Sequence, residues 1–187
     1  MKKHVIALIV AWLGLLAGPS FAGEKAVLDS LRSGGHVLLL RHAATESGVG
    51  DPPGYRLDDC RTQRNLSAEG RADARRLGEV LRAQGVQNFV TLTSPWCRCR
   101  ETARLAFGQS EDWEALGSFF DDYSLEPSRT AQVKQRIAGF AGSQGKGTLV
   151  LVTHQVNITA LTGITVSMGE AVVLNAFDRS IVGRLRF

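Results

Sequence analysis

Arg41-His42, Arg98 and His154 are the residues of this chain whose types and surroundings point to chemistry on an anion. Arg41-His42 follows an apolar run at 36–40, and His154 follows a second run at 148–153. A further expected strand, at 88–93, ends at Ser94, shortly before Arg98. Near-continuous apolar runs of this length read as strands buried on both faces. In a parallel sheet, side chains at the carboxyl ends of such strands converge on one edge, where α/β proteins bind ligands. Guanidinium groups, imidazoles and a helix N-terminus gathered there form an oxyanion site. That chemistry suits phosphoryl transfer, which needs positioning and charge stabilisation above all. An imidazole kept uncharged by neighbouring Arg residues also retains the lone pair that a nucleophile needs.

The elements that must position these groups alternate. Residues 26–33 predict a short helix closed by Gly34-Gly35, ahead of the first strand. Residues 43–66 carry Gly48, Gly50, Pro52, Pro53 and Gly54 without a clear period, and read as a long loop. Ser67 is a good N-cap for a helix running to about Gln84 and stopped by Gly85, with Leu77, Val80 and Leu81 on one face. Ser94-Pro95 predicts another helix, with Ser as cap and Pro in the first helical position, reaching about Phe107. A short strand is expected within 113–120. A helix follows at 127–141, with Val133, Ile137 and Phe140 in register, then a loop at 142–147. Residues 156–162 suggest a short helix, and 171–176 and 181–187 two closing strands turned at Asp178-Arg179. Strands alternating with helices argue for an α/β domain whose central sheet is mostly parallel and flanked by helices in three layers.

Four blocks in this order carry a family resemblance: Leu40-Arg41-His42-Ala43-Ala44-Thr45, Leu66-Ser67-Ala68-Glu69-Gly70, the stretch from Ser94-Pro95 through Arg98 to Thr102-Ala103, and Val152-Thr153-His154. Together they span most of the chain, and the sequence resembles the histidine phosphatase superfamily, which includes the cofactor-dependent phosphoglycerate mutases. The resemblance implies a phosphoglycerate mutase-like fold. It implies that His42 is phosphorylated during turnover and that Arg41, Arg98 and His154 hold the phosphoryl oxygens; Thr45 and Gln155 are further candidates for contacts with the phosphate. It implies no metal and no cofactor. The chain departs from the family pattern at Ala43 and Gly48, where many members have Gly and Asn, and at Gln155, where Gly is usual. Gln63, Asn65, Gln155 and Asn157 are polar groups that could fill those contacts, although capping of loops and helices is the favoured account of each. The acid that protonates the leaving oxygen is sought at Asp121 or Asp122, with Glu126, Asp51, Asp58 and Asp59 as further carboxylates. The loop at 50–66 and the stretch after His154 are similar to exported bacterial members acting on heptose phosphates of the lipopolysaccharide core. An envelope sugar phosphate is therefore the implied small-molecule substrate.

Residues 1–22 have the three-part form of a secretory signal peptide: Lys2 and Lys3, an apolar run, then Ser20-Phe21-Ala22. Cleavage there would leave one domain at 23–187 in the periplasm or outside the cell, without stable membrane insertion. Loss of Lys2 and Lys3 takes the formal net charge from +4 to +2. That modest charge, with no recognised motif, argues against a nucleic-acid partner. The oligomeric state is left open. Cys97 and Cys99 lie too close along a helix to bridge each other, so Cys60 pairs with one of them or all three stay thiols. No cysteine is followed by Arg at the spacing of a cysteine phosphatase. There is no His-Glu-x-x-His and no phosphate-binding Gly-rich loop ending in Lys-Ser/Thr. The competing reading from another class is a non-catalytic protein that binds phosphate or anionic glycolipid through the same Arg and His residues.

Overall fold

The computed structural model describes residues 23–48, 50–143 and 146–186. The leader expected at 1–22 lies outside the described residues. Among the described residues, five α-helices, α1 (Glu24–Ser33), α2 (Ala68–Ala83), α3 (Cys97–Phe107), α4 (Glu126–Gly142) and α5 (Gln155–Thr162), accompany six strands. The strands are β1 (His36–Arg41), β2 (Phe89–Thr93), β3 (Glu111–Asp112), β4 (Thr148–Thr153), β5 (Glu170–Asn175) and β6 (Ile181–Arg186), in the order β3-β2-β4-β1-β5-β6. The pairings β1–β4, β2–β4 and β2–β3 are parallel, while β5 runs antiparallel to both β1 and β6. Among the described residues, no helix is long and apolar enough to cross a membrane.

The apolar runs are continuous because the central strands are covered on both faces. Alternate residues point to opposite sides. Leu38, Leu40, Val150, Val152, Ala171 and Val173 pack into one core with Val27 and Leu31 of α1, Leu77 and Leu81 of α2, and Cys99 and Ala103 of α3. Their neighbours Val37, Leu39, Leu149, Leu151, Val172 and Leu174 pack into the second core with Val133 and Ile137 of α4 and Ile158 of α5. The result is the expected three-layer α/β sandwich.

Two local expectations are corrected. α3 begins at Cys97 with Trp96 as N-cap, not at Ser94-Pro95, and no side chain caps it at Trp96. Ser94 is drawn instead into hydrogen bonds with Trp96 N–H and His154, a tertiary partner that local propensity does not register. The short strand falls before 113–120, at β3, and its last ladder bond to β2 is Trp113 N–H donating to Thr93 O, after which the chain leaves the sheet. Residues Glu114–Leu116 then turn as a 3-10 helix. The turn brings Ala115 and Leu116 into the second core.

The alternatives at the cysteines resolve to a Cys60–Cys97 disulfide, which ties the long loop to the first residue of α3. Cys99 is a buried free thiol, pushed up to about 12 chiefly by burial.

Candidate active site

Strand register places the histidines. Arg41 stands opposite Thr153 across β1–β4, and Thr93 opposite Val152 across β2–β4. His42, His154 and Ser94 therefore leave three adjacent strands at one edge of the sheet. The ladder continues past the strand ends, with His42 N–H donating to Thr153 O (3.0 Å) and Ser94 N–H to Val152 O (2.9 Å). The His42 and His154 rings lie 5.6 Å apart between centroids.

Each atom around His42 is held in turn. Its Nδ1 lies 2.9 Å from Ala43 O. A carbonyl only accepts, so Nδ1 carries the hydrogen and Nε2 keeps the lone pair. Ala43 N–H donates to Thr102 Oγ1 (3.0 Å), and Thr102 Oγ1 donates to Arg98 O (2.7 Å). Ser67 N–H donates to Ala44 O (3.0 Å), and a Cβ at Gly70 would stand 2.0 Å from that same oxygen. Only glycine lets the start of α2 press so closely on the chain after His42. From the other side, Gly169 N–H donates to His42 O (3.0 Å). The blocks Leu66–Gly70 and Ser94–Ala103 thus brace the residue that the first block carries.

Burial and cationic neighbours keep both rings neutral. Burial, followed by the Arg98 charge, pushes His42 down to about 3, against the opposing bond to Ala43 O. His154 is held well below the ordinary imidazole value by burial first, then by His42 and the Arg98 and Arg41 charges. Ser94 Oγ lies 2.8 Å and Cys99 Sγ 3.6 Å from His154 Nε2.

The arginines form an anion cradle. Arg98 Nη1 donates to the Asp51 carboxylate at 2.9 Å, and its Cζ stands 4.3 Å from the centre of the Trp96 ring. Arg41 Nη1 donates to Val166 O (2.8 Å). The buried Nε–H groups of Arg41 and Arg98 have no partner among the described residues. Burial, then the charges of Arg64 and Arg98, lowers the Arg41 pKa, the mark of cations crowded together. Donors left unsatisfied in a buried place crowded with cations favour an incoming oxyanion.

These groups open onto a cleft of about 530 Å³. Arg41, Arg98, His154 and Gln155 line it from the sheet edge, Asp51, Tyr55 and Arg64 from the long loop, and Phe120 and Asp121 from the segment after Gly117. His42, 2% exposed, sits behind this lining. Among the described residues, no three His, Cys, Asp or Glu side chains gather as a metal site.

The structure thus brings together His42, His154, Arg41, Arg98, Gln155 and Asp121. Asp121 accepts from Tyr55 Oη at 3.2 Å. It does not bring Asp122, whose exposed carboxylate accepts from Ser124 N–H (3.0 Å) and Oγ–H (2.6 Å) and caps a 3-10 turn outside the cleft lining. Both aspartates directly follow the stretch expected to hold the short strand, which left them open from sequence; in the structure Asp121 lines the cleft and Asp122 caps the turn at Ser124. Thr45 is also outside the lining, its Oγ1 donating to Met168 Sδ (3.6 Å) while its backbone bridges Leu66. Asp58 and Asp59 pair with Arg56, and Asp59 also with Arg61. Glu126 opens α4. Gln63, Asn65 and Asn157 are bound to backbone: Gln63 Oε1 accepts from Cys97 N–H, and the two Asn amides donate to Cys60 O and Gly117 O. Arg64, Tyr55 and Trp96 were not singled out from sequence, and Thr102 was quoted there only as part of a block, with no role of its own. Arg64 lies among Arg56 and Arg61 with nothing in composition to separate them, whereas the position of Thr102 one turn after Arg98 was a usable signal.

A model of the histidine phosphatase superfamily (branch 1) matches residues 37–118. No curated protein matches the chain in sequence. Among solved structures, the protein histidine phosphatase SixA complexed with tungstate is 14% identical with a TM-score of 0.58, over 81% of this chain and 96% of that one. The product of open reading frame Rv3214 from Mycobacterium tuberculosis is 18% identical with a TM-score of 0.58, over 80% and 94%. TTHB049 from Thermus thermophilus is 22% identical with a TM-score of 0.52, over 81% and 99%. At these identities the likeness is one of fold, the phosphoglycerate mutase-like α/β sandwich.

Proposed function

We propose that this chain, as a histidine phosphatase of the superfamily whose model covers residues 37–118, hydrolyses phosphomonoesters through a phosphohistidine on His42. The observation that carries the reading is a neutral imidazole with a free Nε2 lone pair beside unsatisfied Arg41 and Arg98 donors. His42 Nε2 attacks phosphorus, the ester P–O bond breaks, and the leaving oxygen takes a proton from the Asp121 carboxyl. Water then attacks the phosphohistidine, gives its proton to the Asp121 carboxylate and releases phosphate, with His42 neutral again. Arg41, Arg98 and His154 hold the equatorial oxygens, where transition-state charge is spread. Phosphate displaces Asp51 from Arg98 as it enters. That a structural neighbour, SixA, is found with tungstate, itself an oxyanion, is consistent with such a cradle.

The substrate is a small phosphorylated molecule, and a sugar phosphate fits the walls. Tyr55 and Trp96, 4.5 Å apart between ring centres, offer an apolar face, and Asp121 an acceptor for hydroxyls. An exported protein with a cleaved leader at 1–22 would meet such substrates in the cell envelope.

The test is phosphate release from an activated aryl phosphate with a chelator present, beside His42→Ala. The expected result is turnover that survives chelation and falls at least about a thousandfold in the variant. Saturable phosphate binding without release or phosphohistidine, across pH and a sugar-phosphate panel, would support the non-catalytic binder instead.

A further inference from the structure

Ser94 is a polar side chain at the sheet edge that the reaction above leaves without a task. It is fully buried, it sits between two reacting elements, and it has given up the helix cap that its sequence position offered. We propose that Ser94 is a positioning residue that donates its hydroxyl hydrogen to His154 Nε2 and so selects the tautomer in which Nδ1–H is presented to the phosphoryl group.

The hydrogen inventory supports this direction. Trp96 N–H donates to Ser94 Oγ at 3.3 Å, occupying one lone pair. The hydroxyl hydrogen then needs an acceptor, and His154 Nε2 lies 2.8 Å away. The other neighbour, Cys99 Sγ, remains a protonated thiol and is a weak acceptor. That thiol also carries a hydrogen, with His154 Nε2 at 3.6 Å and Thr153 O at 3.7 Å to receive it. Groups that bear hydrogens thus surround Nε2, and a ring nitrogen so placed is the acceptor of a neutral imidazole. Among the described residues, both contacts of the ring nitrogens fall on Nε2, which leaves Nδ1 for a ligand. The ring lines the cleft with Arg41 and Arg98.

The tautomer matters because the ring is neutral. A charged imidazole offers a hydrogen at both nitrogens, but a neutral one offers a single hydrogen and a lone pair. With the opposite tautomer, the lone pair would face the phosphoryl oxygens and repel the charge that Arg41 and Arg98 gather. His42 is set in the same tautomer by a different device, the carbonyl of Ala43 accepting from Nδ1. The two rings then have complementary tasks: Nε2 of His42 supplies electrons to phosphorus, and Nδ1–H of His154 supplies a hydrogen bond to oxygen.

The kinetic consequence rests on the proposed phosphatase reaction, whereas the tautomer does not, so the two are tested apart. Long-range proton–nitrogen spectra of the labelled, ligand-free protein, assigned against His154→Gln, should show His154 Nδ1 as the protonated nitrogen and Nε2 as the bare one. A protonated Nε2 in the wild-type protein overturns the inference, whether or not the protein turns over phosphate, and that reading does not depend on the folding of any Ser94 variant. In Ser94→Ala the ring should become a mixture of tautomers and kcat on an aryl phosphate should fall roughly tenfold with KM little changed. Ser94→Thr, which keeps the hydroxyl, should restore both. A folded Ser94→Ala protein with the wild-type tautomer, or with unchanged kcat, overturns the positioning role.

Discussion

On the sheet side of the cleft, His42, Ser94 and His154 are 4% exposed or less, and each is bonded to backbone or to a buried side chain. On the loop side, Phe120 is 67% exposed, and the half-buried Tyr55 meets the exposed Asp121 through one bond. The difference follows the chemistry asked of each side. In the proposed reaction charge develops on the same phosphoryl oxygens whatever the substrate, so rigid donors there gain most from being fixed in advance. The leaving group varies, and walls that recognise it lose little by being open. The Cys60–Cys97 disulfide is the joint between the two, fastening the loop that carries Asp51, Tyr55 and Arg64 to the residue before Arg98.

If the sheet side carries the transition state, removing one of its cations is the heaviest loss. Arg98→Ala should lower kcat/KM by a hundred- to a thousandfold, on the order of an oxyanion donor, for aryl and alkyl phosphates alike. A loss confined to one leaving-group class, measured across such a series, would break the division. Replacing both Cys60 and Cys97 with Ser should lower the unfolding free energy by about 3–4 kcal/mol, since the bridge closes a long loop. An unchanged denaturant midpoint would mean that the loop side is held by its other contacts.

Asp121→Asn sharpens the comparison from the loop side. In single-turnover phosphorylation of His42 it should cost alkyl phosphates about a hundredfold and spare aryl phosphates, whose leaving oxygen needs no proton. Equal losses on both would move the acid elsewhere. The gentlest test is pH. The folded-state pKa of His42 is lowered to about 3, whereas an unfolded imidazole titrates near 6.5. Between those values the unfolded chain binds the proton and the native ring does not. Stability from this group is therefore fully present above about 6.5 and is lost as pH falls toward 3, by up to about 1.4 kcal/mol per pH unit. The C2 proton of His42, followed by NMR, should keep its neutral shift through this window; a midpoint near the unperturbed value of about 6.5 would show the ring to be solvated.

The strands, most helices and the place of Arg41-His42, Arg98 and His154 at or just beyond strand ends were legible because they follow from short-range pattern. Apolar runs mark doubly covered strands, and Ser67 marks a helix start wherever the chain goes next. The site itself was legible only as a set of strand ends. That β1 and β2 both pair with β4, so that His42, His154 and Ser94 emerge side by side, is a matter of strand order, which no local pattern encodes. Tertiary contacts also overrode local signals where they were stronger. Ser94 left its helix for a buried imidazole, Asp122 turned to Ser124 while Asp121 met Tyr55, and Cys60 reached Cys97 across the loop. The sequence alone determined which residues could hold an oxyanion. Only the fold decided which of them share one buried volume, because polar groups far apart in the chain find their partners only after the sheet has brought its strand ends together.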